Sequence, residues 1–387
     1  MASTKQFNVG IIGYGLSAKV FHIPFIALTK TLVLHSIVQR SPAPTNSAPD
    51  DYPALAAHHT SAAPMLADPA VDVVIISTPP DTHFALARDA LSAGKHVLVE
   101  KPFVPTSAEA DELAALARSR RLVLCVYQNR RWDSDFLTVQ QLVREDTLGR
   151  IVEFETHFDR LRLEKPTTWK GRLGMQQGGG VVYDLGTHLL DQVFVLFGMP
   201  TSVSAKLVNQ REGRLVTGEG EDEQPDSLSA VLSYARTGLL VYVRAAVASA
   251  EREQMRYWVR GTRGSYHKSG LDPQEDMLRA GGKATDVGFG REGEERFGRV
   301  CVVGEEGKVE ERVWPTAEAE TYLRFYELFA EAVGSGREED VPVPATQAAQ
   351  VLRIIEAIRE SARSGGMLLL SKIQRYVSQV KQGSRSS

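Results

Sequence analysis

Val9-Gly10-Ile11-Ile12-Gly13-Tyr14-Gly15-Leu16-Ser17-Ala18 is the stretch on which the fold turns. Phe7–Gly13 is an apolar, β-branched run that ends in glycine, and Ser17–Thr29 follows with helical spacing. The turn between them reads Gly13-x-Gly15-x-x-Ala18. Gly13 permits a tight turn. Gly15 lets the backbone come close to a pyrophosphate seated on the helix N-terminus, and Ala18 is small enough for the helix to pack on the strand. Gly13, Gly15, Leu16, Ser17 and Ala18 are therefore the expected dinucleotide contacts. A structural glycine turn that binds nothing is the alternative; the strand–turn–helix setting favours the nucleotide.

Outward from this turn, strand and helix alternate to about residue 125. Leu32–Val38, Val71–Ser77, His96–Val99 and Leu122–Tyr127 read as strands. His83–Ala93 and Thr106–Arg120 read as helices, the second with Ser107 as its N-cap. Strands apolar throughout and separated by helices imply a parallel sheet covered on both faces. Past Asn129 the rhythm changes. Phe136–Glu145 and Asp184–Phe197 have helical spacing. Ile151–Phe158, Ser202–Asn209, Leu228–Tyr234, Leu239–Ala246, Met255–Arg260 and Arg299–Val303 read as strands, with a hairpin turn at Arg236-Thr237-Gly238. Thr316–Val333 and Thr346–Ser364 read as closing amphipathic helices. The expectation is an α/β Rossmann domain over 1–128 and an α+β domain with a large, mostly antiparallel open sheet over 129–371. A loose polar tail over 372–387 completes the chain. Gln210–Pro225 reads as a surface loop, and Gly281–Glu295 as a surface loop or one that reaches the site.

Bulk properties narrow the function classes. A chain of 387 residues with 43% hydrophobic and 24% charged residues and a net charge of −3 fits a globular protein with two cores. Nothing in that balance points to nucleic acid. Cys125 and Cys301 cannot make a disulfide framework and fit a reducing, cytoplasmic setting. Met1–Gln6 is polar and runs into a strand, so no signal peptide is expected. The apolar runs are too short to span a bilayer.

The end of the second strand bears on the cofactor. NAD-binding turns usually place an acid there for the ribose 2′-hydroxyl. This chain has Ile37-Val38-Gln39-Arg40-Ser41. Arg40 and Ser41 suit a 2′-phosphate, so NADP is favoured over NAD, against the alternative of an ordinary surface arginine. Lys101, in Glu100-Lys101-Pro102, stands at the carboxyl edge of a parallel strand, where open α/β sheets bind ligands. Asp184 and His188, after the run Gly178-Gly179-Gly180, share a helix face at a spacing of four. A lysine, an aspartate and a histidine facing one cavity suit alcohol oxidation: His188 takes the hydroxyl proton, Lys101 stabilises the alkoxide, and Asp184 orients. Taken singly, each has a surface-pair or loop reading. Metal binding through His188, Asp184 and His157 has no HxxxH or cysteine cluster behind it, and none is expected.

With these motifs in this order, the chain resembles the Gfo/Idh/MocA oxidoreductase family from about residue 7 to about 370. Gln128–Leu137, Tyr183–Gln192 and Asp272-Pro273-Gln274-Glu275-Asp276 resemble the branch containing NADP-dependent scyllo-inositol dehydrogenase. The resemblance implies Lys101, Asp184 and His188 as the catalytic set. It implies Thr78, Pro79, His83, Glu100, Lys101, Asn129, Arg131 and Trp132 as cofactor-lining residues. It also implies a homodimer or dimer of dimers formed through the open sheet. The Pro-rich Ser41–Asp51 stretch, Gln210–Pro225 and the tail depart from the pattern. The basic residues Arg160, Arg162, Lys165, Lys170 and Arg172 read first as a solvated loop and second as the wall of an anionic-substrate site. The expected activity is NADP-linked hydride transfer to or from a secondary alcohol or ketone of a sugar, inositol or related cyclic compound. The alternatives are a dinucleotide-sensing regulator and a carbonyl or imine reductase.

Overall fold

A computed structural model describes residues 5–217, 223–304 and 307–371. The expected tail lies outside the described residues. Six strands, β1 (Phe7–Ile12), β2 (Leu32–Val38), β3 (Ala57–His59), β4 (Val73–Ile76), β5 (His96–Val99) and β6 (Leu124–Val126), form a parallel sheet in the order β3-β2-β1-β4-β5-β6. The order reverses between β1 and β4, which opens a crevice at their carboxyl ends. All four β4 side chains are buried, as a strand covered on both faces requires. The helices around it are α1 (Ile23–Leu28), α2 (Ala48–Asp51), α3 (Ala62–Ala67), α4 (His83–Ser92) and α5 (Ser107–Arg120). Ala18–His22, expected as ordinary helix, is a wider π-type turn that runs on into α1. The α5 cap is Thr106 rather than Ser107. Thr106 and Glu109 cap each other's backbone, while the Ser107 hydroxyl donates to Glu356 at 2.7 Å.

The second sheet holds β7 (Ile151–Asp159), β8 (Ser202–Asn209), β9 (Arg214–Val216), β10 (Ser227–Tyr234), β11 (Leu239–Ala246), β12 (Met255–Gly261), β13 (Gly264–Ser269), β14 (Gly298–Val303), β15 (Val309–Trp314) and β16 (Leu368–Leu369). Its order is β15-β14-β13-β12-β7-β11-β10-β8-β16, with β9 on β8, and only the β7–β11 pairing is parallel. The β10–β11 hairpin closes on Gly238 at φ +71°. Three short strands, β3, β9 and β16, and the polar, exposed β15 carry too little alternation to be read from sequence. β9 also corrects the Gln210–Pro225 expectation: the segment folds back on β8 instead of standing off as a loop, with 218–222 outside the described residues.

Five further helices, α6 (Ser134–Arg144), α7 (Thr187–Phe197), α8 (Gln274–Arg279), α9 (Thr321–Ser335) and α10 (Ala345–Ser364), cover this sheet and join it to the first. Tyr326 of α9 stacks on Phe25 of α1 at 5.8 Å. In α10, Glu356 accepts from the Ser107 backbone at 2.7 Å, and the Ser361 hydroxyl accepts from Ala205 N of β8 at 2.9 Å. The last helices, although late in the chain, thus pack between the two sheets and fix the cleft between them.

Candidate functional site

The nucleotide side is built first. At Gly13 the backbone adopts φ +102°, and a β-carbon there would sit 2.3 Å from the Ser77 carbonyl oxygen, so only glycine fits. At Gly15 a β-carbon would meet nothing within 4 Å, which leaves its backbone bare to the crevice. The crevice is a cavity of about 520 Å³, a size usual for small-molecule sites. Gly13, Gly15, Leu16, Ser17, Arg40, Ser41, Thr78, Pro79, Glu100, Lys101, Asn129, Asp184 and His188 line it. Ala18 is buried behind the turn.

Arg40 and Ser41 are exposed at the mouth of the cavity, and no side-chain bond holds the Arg40 guanidinium among the described residues. The Pro-rich stretch after them is tied down. The Gln39 side chain donates to Asn46 O and accepts from Ala48 N, both at 2.7 Å. Asn46 donates to Tyr14 O at 3.2 Å, and the Tyr14 hydroxyl donates to Asp51 at 2.6 Å. A bare glycine turn, a free cation and a hydroxyl around one cavity fit a phosphorylated dinucleotide.

Beneath the turn, buried Glu100 accepts from Ser17 and from Lys101 N (2.9 Å) and faces His22 Nε2 at 3.1 Å. Burial pushes its carboxyl up, but the bonds from His22 and Ser17 and the Lys101 charge outweigh it and hold Glu100 below the usual carboxylate range. This cluster was only partly legible in sequence, because His22 lies far from Glu100 along the chain.

Three residues expected along the cofactor instead stand behind the walls. Arg131 is a forked pair with Asp191 (2.7 and 2.8 Å) and donates to Gln347 at 2.8 Å. A largely enclosed guanidinium needs such partners, and these consume it. Trp132 packs edge-on against Phe325 at 5.3 Å. His83 is buried with Nε2 2.8 Å from Thr78 O and Nδ1 3.0 Å from Pro102 O. It joins the two loops that line the crevice without lining it. Burial pushes its pKa down against those carbonyls.

The substrate side begins with the Gly-rich run. A β-carbon at Gly179 would sit 1.8 Å from the Leu173 carbonyl oxygen, so the loop folds tightly onto its predecessor. Val182–Gly186 then forms a second π-type turn, and α7 follows. Asp184 lies in the π turn and His188 in the first turn of α7, where one continuous α-helix was expected. Such turns frequently sit at functional sites. The Lys101 ammonium donates to Asp184 O at 3.0 Å and to Asp184 Oδ1 at 3.2 Å.

Asp184 carries two more cations. Lys170 Nζ lies 2.8 Å from Oδ1 and Arg160 3.5 Å from Oδ2. Both belong to the segment read first as a solvated loop; Arg162, Lys165, Lys170 and Arg172 are indeed exposed, while Arg160 is half-buried, and Arg160 and Lys170 reach Asp184. Burial alone would raise the Asp184 pKa, but Lys101, Lys170 and Arg160 hold it well below the usual range. Burial, with Lys170 beside it, lowers the Lys101 pKa against the pull of Asp184. His188 is held well below the ordinary histidine range by burial and by the Lys101 and Arg130 charges. Its Nδ1 is buried with no hydrogen-bond partner among the described residues. The arrangement therefore offers an imidazole that resists protonation, a lysine that loses its proton more readily than usual, and a carboxylate that keeps its charge to lower pH than usual. His157 bonds Glu155 and Asp159 at 3.2 Å each, not Asp184 or His188. Sequence reasoning also passed over Glu275 and Arg130, which line the cavity as an ion pair; only the long-range fold brings them together.

Comparison with known proteins agrees in extent. The description "Oxidoreductase family, NAD-binding Rossmann fold" matches residues 7–128, and "Oxidoreductase family, C-terminal alpha/beta domain" matches residues 140–370. The uncharacterized oxidoreductase YdgJ of Escherichia coli K12 is 40% identical over 95% of this chain and 100% of its own. The scyllo-inositol 2-dehydrogenase (NADP(+)) IolW of Bacillus subtilis is 34% identical over 94% of this chain and 96% of its own. The crystal structure of an oxidoreductase from Bacillus cereus superposes with a TM-score of 0.81 at 30% identity, covering 94% of this chain and 98% of that one.

Proposed function

The chain belongs to the Gfo/Idh/MocA oxidoreductase family, and from that premise we propose that it moves hydride between NADP(H) and a secondary alcohol or ketone of a sugar, inositol or related cyclic compound. The observation that carries this reading is the meeting of Lys101 with Asp184 (3.2 Å) in the cavity that His188 and the glycine turn also line. When bound, the dinucleotide supplies the hydride acceptor or donor. Gly13, Gly15, Leu16, Ser17, Thr78 and Pro79 cradle it, and Arg40 with Ser41 takes the 2′-phosphate. Glu100, fixed by Ser17 and His22, sets the start of the turn that carries Lys101. His188, kept neutral by burial, accepts the substrate hydroxyl proton during oxidation and returns it during reduction. Lys101 donates to the substrate oxygen as negative charge builds there. Asp184 aims that ammonium. The Bacillus subtilis relative is named for NADP(+), which supports the reading of Arg40.

Residues 1–128 serve in this reading as the dinucleotide-binding domain and 129–371 as the substrate-binding domain. The same reading makes the protein a cytoplasmic homodimer or dimer of dimers; the unpaired Cys125 and Cys301 support the reducing setting. The outer face of the large sheet supports the dimer. One cross-strand row there runs Val231, Tyr242, Glu155, Trp258, and Trp258 is 37% exposed. Among the described residues no helix is long and apolar enough to cross a membrane. The test is a panel of polyols, aldoses and ketones, followed by NADPH absorbance in both directions. Turnover of any member supports the reading. Bound NADPH with no turnover of any member contradicts it.

A further inference from the structure

Beside the cofactor crevice lies a second cavity, and Asp184, Trp169 and Lys170 line both. Its wall carries five cations, Arg160, Arg162, Lys165, Lys170 and Arg211, against three carboxylates, Asp184, Glu212 and Asp226. The carboxylates are already engaged. Asp226 pairs with Arg211 at 3.0 Å and accepts from Gln210 N at 2.6 Å. Glu212 pairs with Arg214 at 2.7 Å. Asp184 is shared among Lys101, Lys170 and Arg160. One carboxylate cannot neutralise three cations, so positive charge is left over where the substrate would lie.

The surplus is held in place. Past β7 the chain stays extended: Arg160 N donates to Ala246 O at 3.0 Å and Arg162 N to Val247 O at 2.8 Å. Alternation in an extended segment puts Arg160 and Arg162 on one face and Leu161, 58% exposed, on the other. Arg211 then clips this segment, donating to the carbonyl oxygens of Arg162 (2.6 Å) and Leu163 (2.7 Å). Arg160 Nε is buried with no hydrogen-bond partner, and no side-chain bond engages Arg162 among the described residues. A buried N–H without an acceptor is costly unless a ligand supplies one. The dinucleotide phosphates do not serve here, because the glycine turn and Arg40 that suit them line the first cavity and not this one.

Resting on the hydride-transfer reading, we infer that the substrate carries an anionic group, a carboxylate or a phosphate monoester, which Arg160 and Arg162 bind while its hydroxyl or carbonyl carbon faces Lys101 and His188. The substrate class is thereby an acidic polyhydroxy compound rather than a neutral polyol.

The test uses matched probes with the NADP(H)-loaded protein: glucose against glucuronate, galactose against galacturonate, and glucose against glucose 6-phosphate. Expected is at least about a tenfold higher kcat/KM for one class of acidic partner over its neutral parent, the size of one charge-assisted contact. The uronate and phosphate arms distinguish the two anions. Arg162→Gln brings that ratio down toward about one; Arg252→Gln, an exposed arginine outside both cavities, leaves it unchanged, and an equal fall there would reduce the effect to general surface charge and overturn the anion site. Calorimetry with inorganic phosphate gives a readout free of turnover. Phosphate binding that weakens in Arg162→Gln, with no probe turned over, upholds the anion site and sinks the hydride-transfer reading for these compounds. Neutral parents turned over as well as their acids, with phosphate binding absent or indifferent to Arg162→Gln, overturns the anion site and leaves the hydride-transfer reading standing.

Discussion

On the nucleotide side of the cleft, the working groups come from a few short, contiguous stretches: Gly13 to Ser17, Arg40-Ser41 and Glu100-Lys101. Each stands at the end of a parallel strand, and the sheet order alone brings them together. On the substrate side, Arg160, Lys170, Asp184 and Arg211 come from an extended segment, a single 3-10 turn, a π-type turn and a hairpin that meet only through tertiary bonds. The first region is fixed by backbone geometry, the second by side-chain charge. Backbone geometry leaves glycines and strand ends that can be read locally. A charge cluster assembled across 50 residues leaves only a scatter of basic positions that looks like solvated surface.

The comparison breaks most readily where the regions join. Lys101 belongs to both, so Lys101→Met should lower kcat by about 10²–10³-fold, the usual loss for a group that stabilises developing negative charge. Next is Arg40. Its replacement by alanine should weaken NADPH binding by about 10–100-fold, as the loss of a charge-assisted contact does, and leave NADH affinity within about twofold. Equal loss of both, measured by fluorescence titration, would remove the 2′-phosphate role. On the other side, Arg211 stands in the wall with its guanidinium taken up by Asp226 and by the carbonyls of Arg162 and Leu163. Arg211→Ala should raise substrate KM by about 3–10-fold with kcat within about twofold, a positioning effect. A fall in kcat at constant KM would contradict it.

The smallest expected effect concerns pH and stability. His188 and His83 are both buried, with pKa values pushed below the ordinary histidine value of about 6.5. The unfolded chain therefore binds protons that the folded chain refuses as pH falls below about 6.5. Their stabilisation is present above that pH and is lost below it, before the carboxylates Asp184 and Glu100 begin to titrate. The melting temperature should fall between pH 7 and pH 5.5, and His188→Gln should fall less over the same window. Parallel curves would show that the buried ring is not the group responsible.

The parallel sheet and most of the second sheet were readable because their strands either lack polar residues or alternate cleanly. What escaped was short or irregular. The π-type turns at Ala18–His22 and Val182–Gly186 have the same residue spacing as ordinary helix over so few positions. The roles of Arg131 and His83 were misjudged because their partners, Asp191, Gln347 and the Pro102 carbonyl, are set by packing. Gln210–Pro225 looked polar and exposed. Its Arg211, Gln224 and Pro225 turn out to brace both the basic segment and the Gly-rich run, through Gln224 to Leu173 O at 2.7 Å and Val181 N to Pro225 O at 2.9 Å.

In the proposed reaction the imidazole of His188, kept neutral in the cavity that Lys101 and Asp184 share, moves the proton that accompanies hydride transfer. The direct measurement is His188→Ala, with NADPH affinity and kcat determined on the same preparation. Expected are an NADPH affinity within about threefold of the parent and a kcat reduced by about 10²–10⁴-fold, the usual contribution of a positioned general base. A kcat within about threefold of the parent, at unchanged NADPH affinity, would contradict it.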